Sequence, residues 1–190
     1  QYTGKHPQSL SFNHDATVLA VGAHNSNSNN TSNSGEVRIY KYSGSSWSLS
    51  KSFQGGSSVM RGWAVSLNKK GDIVIFNEPY YNNFRGQIYI YRNTTGTNWV
   101  QLGSTLQPVS GYSYSYLNSV DINDEGNIIE VTHHSHGMHA SNNIVTLSDI
   151  EPNTVSTTLT SELSNNGGSV SVANTSLFGT FEGISTSRGF

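Results

Sequence analysis

Residues 9–23 read SLSFNHDATVLAVGA, and the same pattern returns at 64–78 as AVSLNKKGDIVIFNE and at 119–133 as SVDINDEGNIIEVTH. A fainter copy, SVSVANTSLFGTFEG, spans 169–183. Each copy alternates apolar and polar residues, breaks at a polar turn and resumes an apolar run, which predicts two antiparallel strands joined by a hairpin. Phe12, Leu67, Ile122 and Val172 hold the same place in the four copies. Self-similarity at a period of roughly fifty residues marks a repeat architecture, and it decides the fold before any single motif does.

Working outward, a second block follows each of the first three hairpins: GEVRIYKY at 35–42, GQIYIYRN at 86–93 and NIVTLSDI at 143–150. Its alternating pairs, Val37 with Ile39, Ile88 with Ile90 and Ile144 with Thr146, should each face one layer. A last strand follows a short polar turn, as WSLSKSF at 47–53, WVQLGSTL at 99–106 and VSTTLTSEL at 155–163. No stretch sustains helical apolar spacing, and β-branched and aromatic residues fill the apolar positions. Four short antiparallel strands per repeat describe a propeller blade. A β-helix uses shorter coils, and a sandwich has no need to repeat. The expected fold is therefore all-β, a single β-propeller segment with blades at about 8–57, 58–110 and 111–165 and an incomplete one at 166–190. Blades bury both faces against their neighbours, which accounts for apolar residues on both sides of VLAVGA and DIVIF.

Three full blades and one hairpin fall short of a ring, which takes at least about four blades. The chain thus reads either as a segment of a longer propeller or as a copy that associates with others so that strands of one complete a blade of another. The first is favoured, because an unfinished blade leaves an edge that pairs promiscuously. The opening at Gln1 rather than Met suits a processed or excised form.

Composition narrows the function classes. Charged residues make up 12% of the chain, against about 25% in soluble domains, and Ser, Thr, Asn and Gly supply the polarity instead. A net charge of -2 offers no basic field for phosphates, so nucleic acid is not an expected partner. No apolar run approaches the roughly 20 residues of a spanning helix, so membrane insertion is not expected. The absence of cysteine excludes disulfides, thiolate-ligated metal and a thiol nucleophile. This composition suits an extracellular, cell-surface or virion-surface protein.

Leu19 to Ala23, then Gly35, Val37, Ile39 and Tyr40, then Trp47 and Leu49, resemble the FG-GAP-type repeat of secreted and cell-surface propellers, the class that includes integrin α-chain heads. The likeness runs over almost the whole chain. Blade two keeps only Pro79 near the Gly-Ala-Pro position, and blade three has histidines there. Many such repeats hold calcium in a loop of alternating aspartates, which this chain lacks, so neither calcium nor any other cofactor is implied.

Candidate sites lie mainly in the loops between second and third strands, which should emerge together on one face. Residues 23–34 carry His24 among Asn and Ser, and residues 79–85 carry Tyr80, Tyr81, Asn82 and Asn83. Tyrosine beside Asn and His suits stacking on sugar rings and hydrogen bonding to hydroxyls. In blade three the corresponding loop holds His133, His134, His136 and His139. Four imidazoles can ligate zinc, copper or nickel only if they converge, and with no carboxylate nearer than Glu130 the segment reads as a polar exposed loop. Tyr112, Tyr114 and Tyr116 alternate with serine and read as packing between blades, as do the recurring Trp47 and Trp99. Asn29, Asn30, Asn93 and Asn174 fit the glycosylation acceptor pattern, which a chain this rich in Asn, Ser and Thr also produces by chance. Asp15, Asp72, Asp124 and Glu125 are explained by turn chemistry, and no catalytic constellation is visible. The leading expectation is a non-enzymatic surface module for assembly, adhesion or protein interaction, with other subunits or surface glycans as partners. The alternatives are a lectin, or a polysaccharide-acting hydrolase completed by further blades.

Overall fold

The computed structural model describes residues 8–28, 31–108, 115–135, 140–146 and 158–159. Blade one is an antiparallel sheet of β1 (Ser9–Phe12), β2 (Val18–Gly22), β3 (Glu36–Tyr42) and β4 (Trp47–Gln54), in that spatial order. Blade two repeats it with β5 (Val65–Leu67), β6 (Ile73–Glu78), β7 (Gln87–Thr95) and β8 (Asn98–Gln101). Beyond β9 (Gln107–Pro108), the strands β10 (Ser115–Ile122), β11 (Ile128–Ser135) and β12 (Ala140–Thr146) form the antiparallel sheet of blade three. The arrangement is that of a β-propeller segment.

Each inner hairpin is closed by an asparagine at the same repeat position. The side-chain oxygen of Asn13 accepts the backbone N–H groups of Thr17 and Val18 at 2.9 and 2.8 Å. Asn68 does the same for Asp72 and Ile73, and Asn123 for Asn127 and Ile128. One side chain thereby satisfies two donors that the strand ladder does not reach, and so fixes the turn. The turns also lock to one another, since His14 N–H donates to Lys69 O and Lys69 N–H to Asp124 O, both at 3.1 Å. A line of backbone hydrogen bonds therefore crosses the stack, each amide reaching one blade ahead.

Two apolar cores hold the blades face to face. Val18, Ala20, Val37, Ile39 and Phe53 of blade one pack on Val65, Leu67, Val74, Phe76 and Trp99 of blade two, with Tyr89 and Tyr91 against them. The opposite face of blade two, Ile73, Ile75, Ile88 and Ile90, with Leu102 and Leu106, packs on Leu117, Val120, Ile122, Ile129 and Val131 of blade three. β6 is buried along its whole length because it serves both cores. At about 1.5–3 kcal/mol per fully buried aliphatic or phenyl side chain, these stacks outweigh any single polar contact. The second strands carry apolar residues on both sides for this reason.

Two expected elements differ from what is found. The last strand of blade two is interrupted, with β8 ending at Gln101 and the ladder to β7 resuming at Leu106, opposite Ile88. Gly103, at a φ of 63°, makes the bend. In blade three the outer strand expected within 155–163 is represented by β13 (Thr158–Leu159), which pairs in parallel with β9 rather than with β12. That segment lacks the tryptophan that opens the outer strands of the first two blades and packs across them. The fourth unit at 166–190 lies outside the described residues.

Candidate functional site

The loops after β2 and β6 converge on one face through the connection between blades one and two. Residues 55–64 run between them and are laced to both. Ser58, Met60 and Arg61 donate their N–H groups to Ser32, Asn33 and Ser34, Gly62 donates to Asn77, and Tyr80 donates to Val59. So close an approach requires glycine at Gly22, where a Cβ would run into the Gly62 carbonyl oxygen.

Arg61 anchors this connection from below. Its Nε lies 2.6 Å from Oε1 of Glu78, a residue only 2% exposed. Gln87 Nε2 donates to the other carboxylate oxygen of Glu78 and to the Tyr89 hydroxyl at 2.9 Å. The guanidinium also covers the Tyr89 ring, 4.5 Å from its centroid. Burial, reinforced by the Glu78 charge and opposed by Arg61, pushes the Tyr89 phenol up to about 12. Burial raises Tyr91 as well, with Arg61 opposing it. The cluster is a closed, charge-balanced support for the face above it.

Above it an aromatic row runs across the loops. The buried His24 packs on Trp63 at 4.4 Å between ring centroids, Trp63 lies 6.3 Å from Tyr80, and Tyr80 meets Phe84 edge-on at 4.9 Å. Trp63 and Tyr81 keep part of their rings in solvent. Of the seven non-glycine residues at positive φ among the described residues, six stand in these loops: Asn33, Ser58, Met60, Asn82, Asn83 and Phe84. Asn82, Asn83 and Phe84 make a left-handed turn within 81–84, closed by Gly86 N–H donating to Tyr81 O. Left-handed L-residues cost on the order of 1–2 kcal/mol each, and such strain gathers where a surface is held in a required shape.

The structure thus brings His24 and Tyr80 together through Trp63 and sets Tyr81 and Asn82 on the exposed turn beside them. Trp63 was not legible as a site residue beforehand. The signal for it was that it stands outside the repeat, whereas Trp47 and Trp99 recur. His133 and His134 are not loop residues, because β11 continues through Ser135 and pairs them with Leu117 and Tyr116 on one side and with Ser141 and Ala140 on the other. The ladder extends two residues further than the polar sequence suggested, since backbone pairing does not require apolar side chains. His136, His139, Tyr112 and Tyr114 lie outside the described residues, as do Asn29, Asn30 and Asn174. Asn93 closes the β7–β8 turn, its side-chain amide donating to Gly96 O at 2.9 Å. Trp99 is buried between blades as expected, but Trp47 is exposed.

Both buried carboxylates among the described residues are paired with arginines, Glu78 with Arg61 and Glu36 with Arg38 at 2.7 Å. Neither is placed as a general acid or base. The chemistry this face offers is aromatic stacking and hydrogen bonding.

No family model and no curated protein matches the chain. Solved structures do. A prolyl endopeptidase structure aligns with a TM-score of 0.51 at 8% identity, over 82% of this chain and 23% of that one. The periplasmic gluconolactonase of Pseudomonas aeruginosa aligns at 0.49 and 12% identity, over 78% of this chain and 45% of that one. A GH74 enzyme of Niastella koreensis aligns at 0.43 and 14% identity, over 71% and 22%. The chain therefore spans less than half the length of each of these structures. These are enzymes, and they correct the non-enzymatic expectation, which rested on the repeat architecture and on the absence of a recognisable catalytic motif in the sequence: stacked four-stranded blades are also the framework of enzymes. What the likeness shows for this chain is the fold, a segment of a β-propeller.

Proposed function

We propose that this chain belongs to a polysaccharide-acting hydrolase and supplies the face on which the sugar chain lies. The observation that carries the proposal is Trp63, held partly exposed between His24 and Tyr80 on a face framed by left-handed loop residues. A pyranose presents a C–H face that stacks on such a ring, and its hydroxyls find donors and acceptors in Asn82 and Asn83 on the neighbouring turn. The low charge of the chain fits a neutral ligand. Because Glu36 and Glu78 are committed to arginines, the acid and base of glycoside cleavage would be other carboxylates. The likeness in pattern to FG-GAP-type repeats and a location outside the cytoplasm belong to the same proposal. Among the described residues no helix is long and apolar enough to cross a membrane.

Titration with neutral oligosaccharides, followed by tryptophan fluorescence and calorimetry, tests this. Trp63→Ala is expected to weaken binding at least about tenfold, as stacking contributions of this size imply. Asn98→Ala, in the β7–β8 turn at the other end of the blades, should leave it unchanged. Absence of saturable binding to any neutral oligosaccharide would overturn the proposal. Binding without release of reducing ends by the full-length protein would leave a lectin in place of the hydrolase.

A further inference from the structure

Blade one presents to solvent the face that blade two buries. Repeat positions pair Leu10 with Val65, Phe12 with Leu67 and Trp47 with Trp99. In blade two these residues are 7, 6 and 5% exposed, and in blade one 60, 52 and 42%. Tyr42 and Leu49 extend the open patch, so five of the eight exposed large hydrophobic side chains among the described residues stand on this one face. Its rings already touch, Phe12 to Trp47 at 6.0 Å and Tyr42 to Trp47 at 5.2 Å. An apolar surface of this kind on a polar-surfaced chain marks an interaction site.

The two interior interfaces show what such a face takes, because both are built alike. The covering blade offers aliphatic side chains at four repeat positions, Val18, Ala20, Val37 and Ile39 over blade two. Over blade three the same positions are Ile73, Ile75, Ile88 and Ile90. Hydroxyls on its first strand reach forward: Ser9 Oγ accepts Val65 N–H at 2.9 Å and Ser11 Oγ accepts Leu67 N–H at 3.0 Å. Ser66 Oγ likewise donates to Asp121 at 2.7 Å. Its hairpin turn then sends one amide ahead, His14 to Lys69 and Lys69 to Asp124. A covering blade is thus defined by four aliphatic places, a hydroxyl-bearing first strand and one turn amide.

The covering sides of blades one and two are already buried. Blade three has the exposed Glu130 at the place of Ala20 and Ile75, and the copy at 169–183 has Thr180 there. A carboxylate pressed onto Phe12 and Trp47 would lose its water and gain no partner. A second copy of this chain offers the same sides and meets the same obstacle. We infer that blade one docks a further blade of the same propeller, from beyond these 190 residues, with aliphatic residues at the four covering places and hydroxyls at alternate positions of its first strand. Those hydroxyls accept the N–H groups of Leu10 and Phe12, and its turn amide donates to His14 O, extending the line that runs from His14 to Lys69 and Asp124. Blade one is thereby an interior blade of the stack. This surface is separate from the loop face, and the inference does not depend on the sugar-binding proposal.

Blade one itself carries the required covering side, so the probe is a second copy of residues 9–63 inserted directly before Ser9 of the full chain. In the extended chain, amide exchange at Leu10 and Phe12 of the original blade one should slow at least about a hundredfold relative to the 190-residue chain. Phe12→Glu in the original blade should lower the denaturation midpoint of the extended chain and leave that of the 190-residue chain unchanged. Ala20→Glu in the inserted copy, which gives it the face of blade three, should abolish the protection. The 190-residue chain supplies a measurement independent of the insert: Phe12→Ser with Trp47→Ser should change neither its stability nor its sedimentation. Lost stability there would make residues 166–190 the occupant, and a dimer dispersed by the two substitutions would make it a second copy. Either result overturns the inference, as does an insert that leaves Leu10 and Phe12 unprotected, folded or not, or protection that survives Ala20→Glu.

Discussion

Ala16 is the residue at which the repeat departs from its own rule. It adopts a φ of 52° where the other two hairpins place Gly71 and Gly126, at 70° and 77°. A β-carbon in that region is strained, so Ala16→Gly should raise stability by about 0.5–1 kcal/mol in chemical denaturation. Arg61 and Glu78 make the opposite case. Removing the guanidinium in Arg61→Ala leaves a buried carboxylate without its counter-charge and should cost about 3–5 kcal/mol. Arg61→Met combined with Glu78→Met should cost much less, and the denaturation midpoints of the two variants decide the point. Tyr89 sets an alkaline limit. Its folded phenol titrates at about 12, above the roughly 10 of an unfolded tyrosine, so the proton is held more tightly in the fold. Stability is then complete below pH 10 and falls as pH rises through the window from 10 to 12, as the unfolded chain loses the proton first. Denaturation midpoints at pH 9 and 11.5 should differ, and Tyr89→Phe should reduce the difference. The roles of these four residues were not legible in the sequence. Ala16 looks like any turn residue, Tyr89 like any strand tyrosine, and the pairing of Arg61 with Glu78 spans elements.

At the scale of elements, the hairpins and third strands were legible because burial between blades keeps their facing positions apolar through changes of side chain. Val37 and Ile39, like Ile88 and Ile90, fall in one buried layer as the period requires. Outer strands obey a weaker constraint. They touch one neighbour in the sheet and carry mostly polar residues, so the bend at Gly103 and the parallel pairing of Thr158–Leu159 with β9 left no trace in the pattern. The left-handed turn of Asn82 to Phe84 is also invisible to periodicity. Asparagine tolerates that region, but phenylalanine does so only where contacts hold it, and here the Tyr80 ring lies against it. Phe84→Gly should therefore relieve backbone strain while removing that ring contact. The melting temperature should change little, whereas oligosaccharide affinity should fall with the loosened turn if the loop face binds sugar.

At the scale of the molecule, the repeat dictated the architecture, and that architecture, with no catalytic motif beside it, misdirected the functional reading. A propeller is a way of stacking sheets and carries no statement about chemistry. What distinguishes this chain lies where the copies differ: Trp63 stands outside the repeat, and Trp47 repeats in sequence but not in burial. The line of amides through the hairpin turns has a consequence of its own. Turn amides ordinarily exchange with deuterium within seconds, but His14 N–H is held by blade two and Lys69 N–H by blade three. Each is a separate gauge of one seam, so their exchange rates distinguish a stack that unzips from one end from a stack that opens all at once.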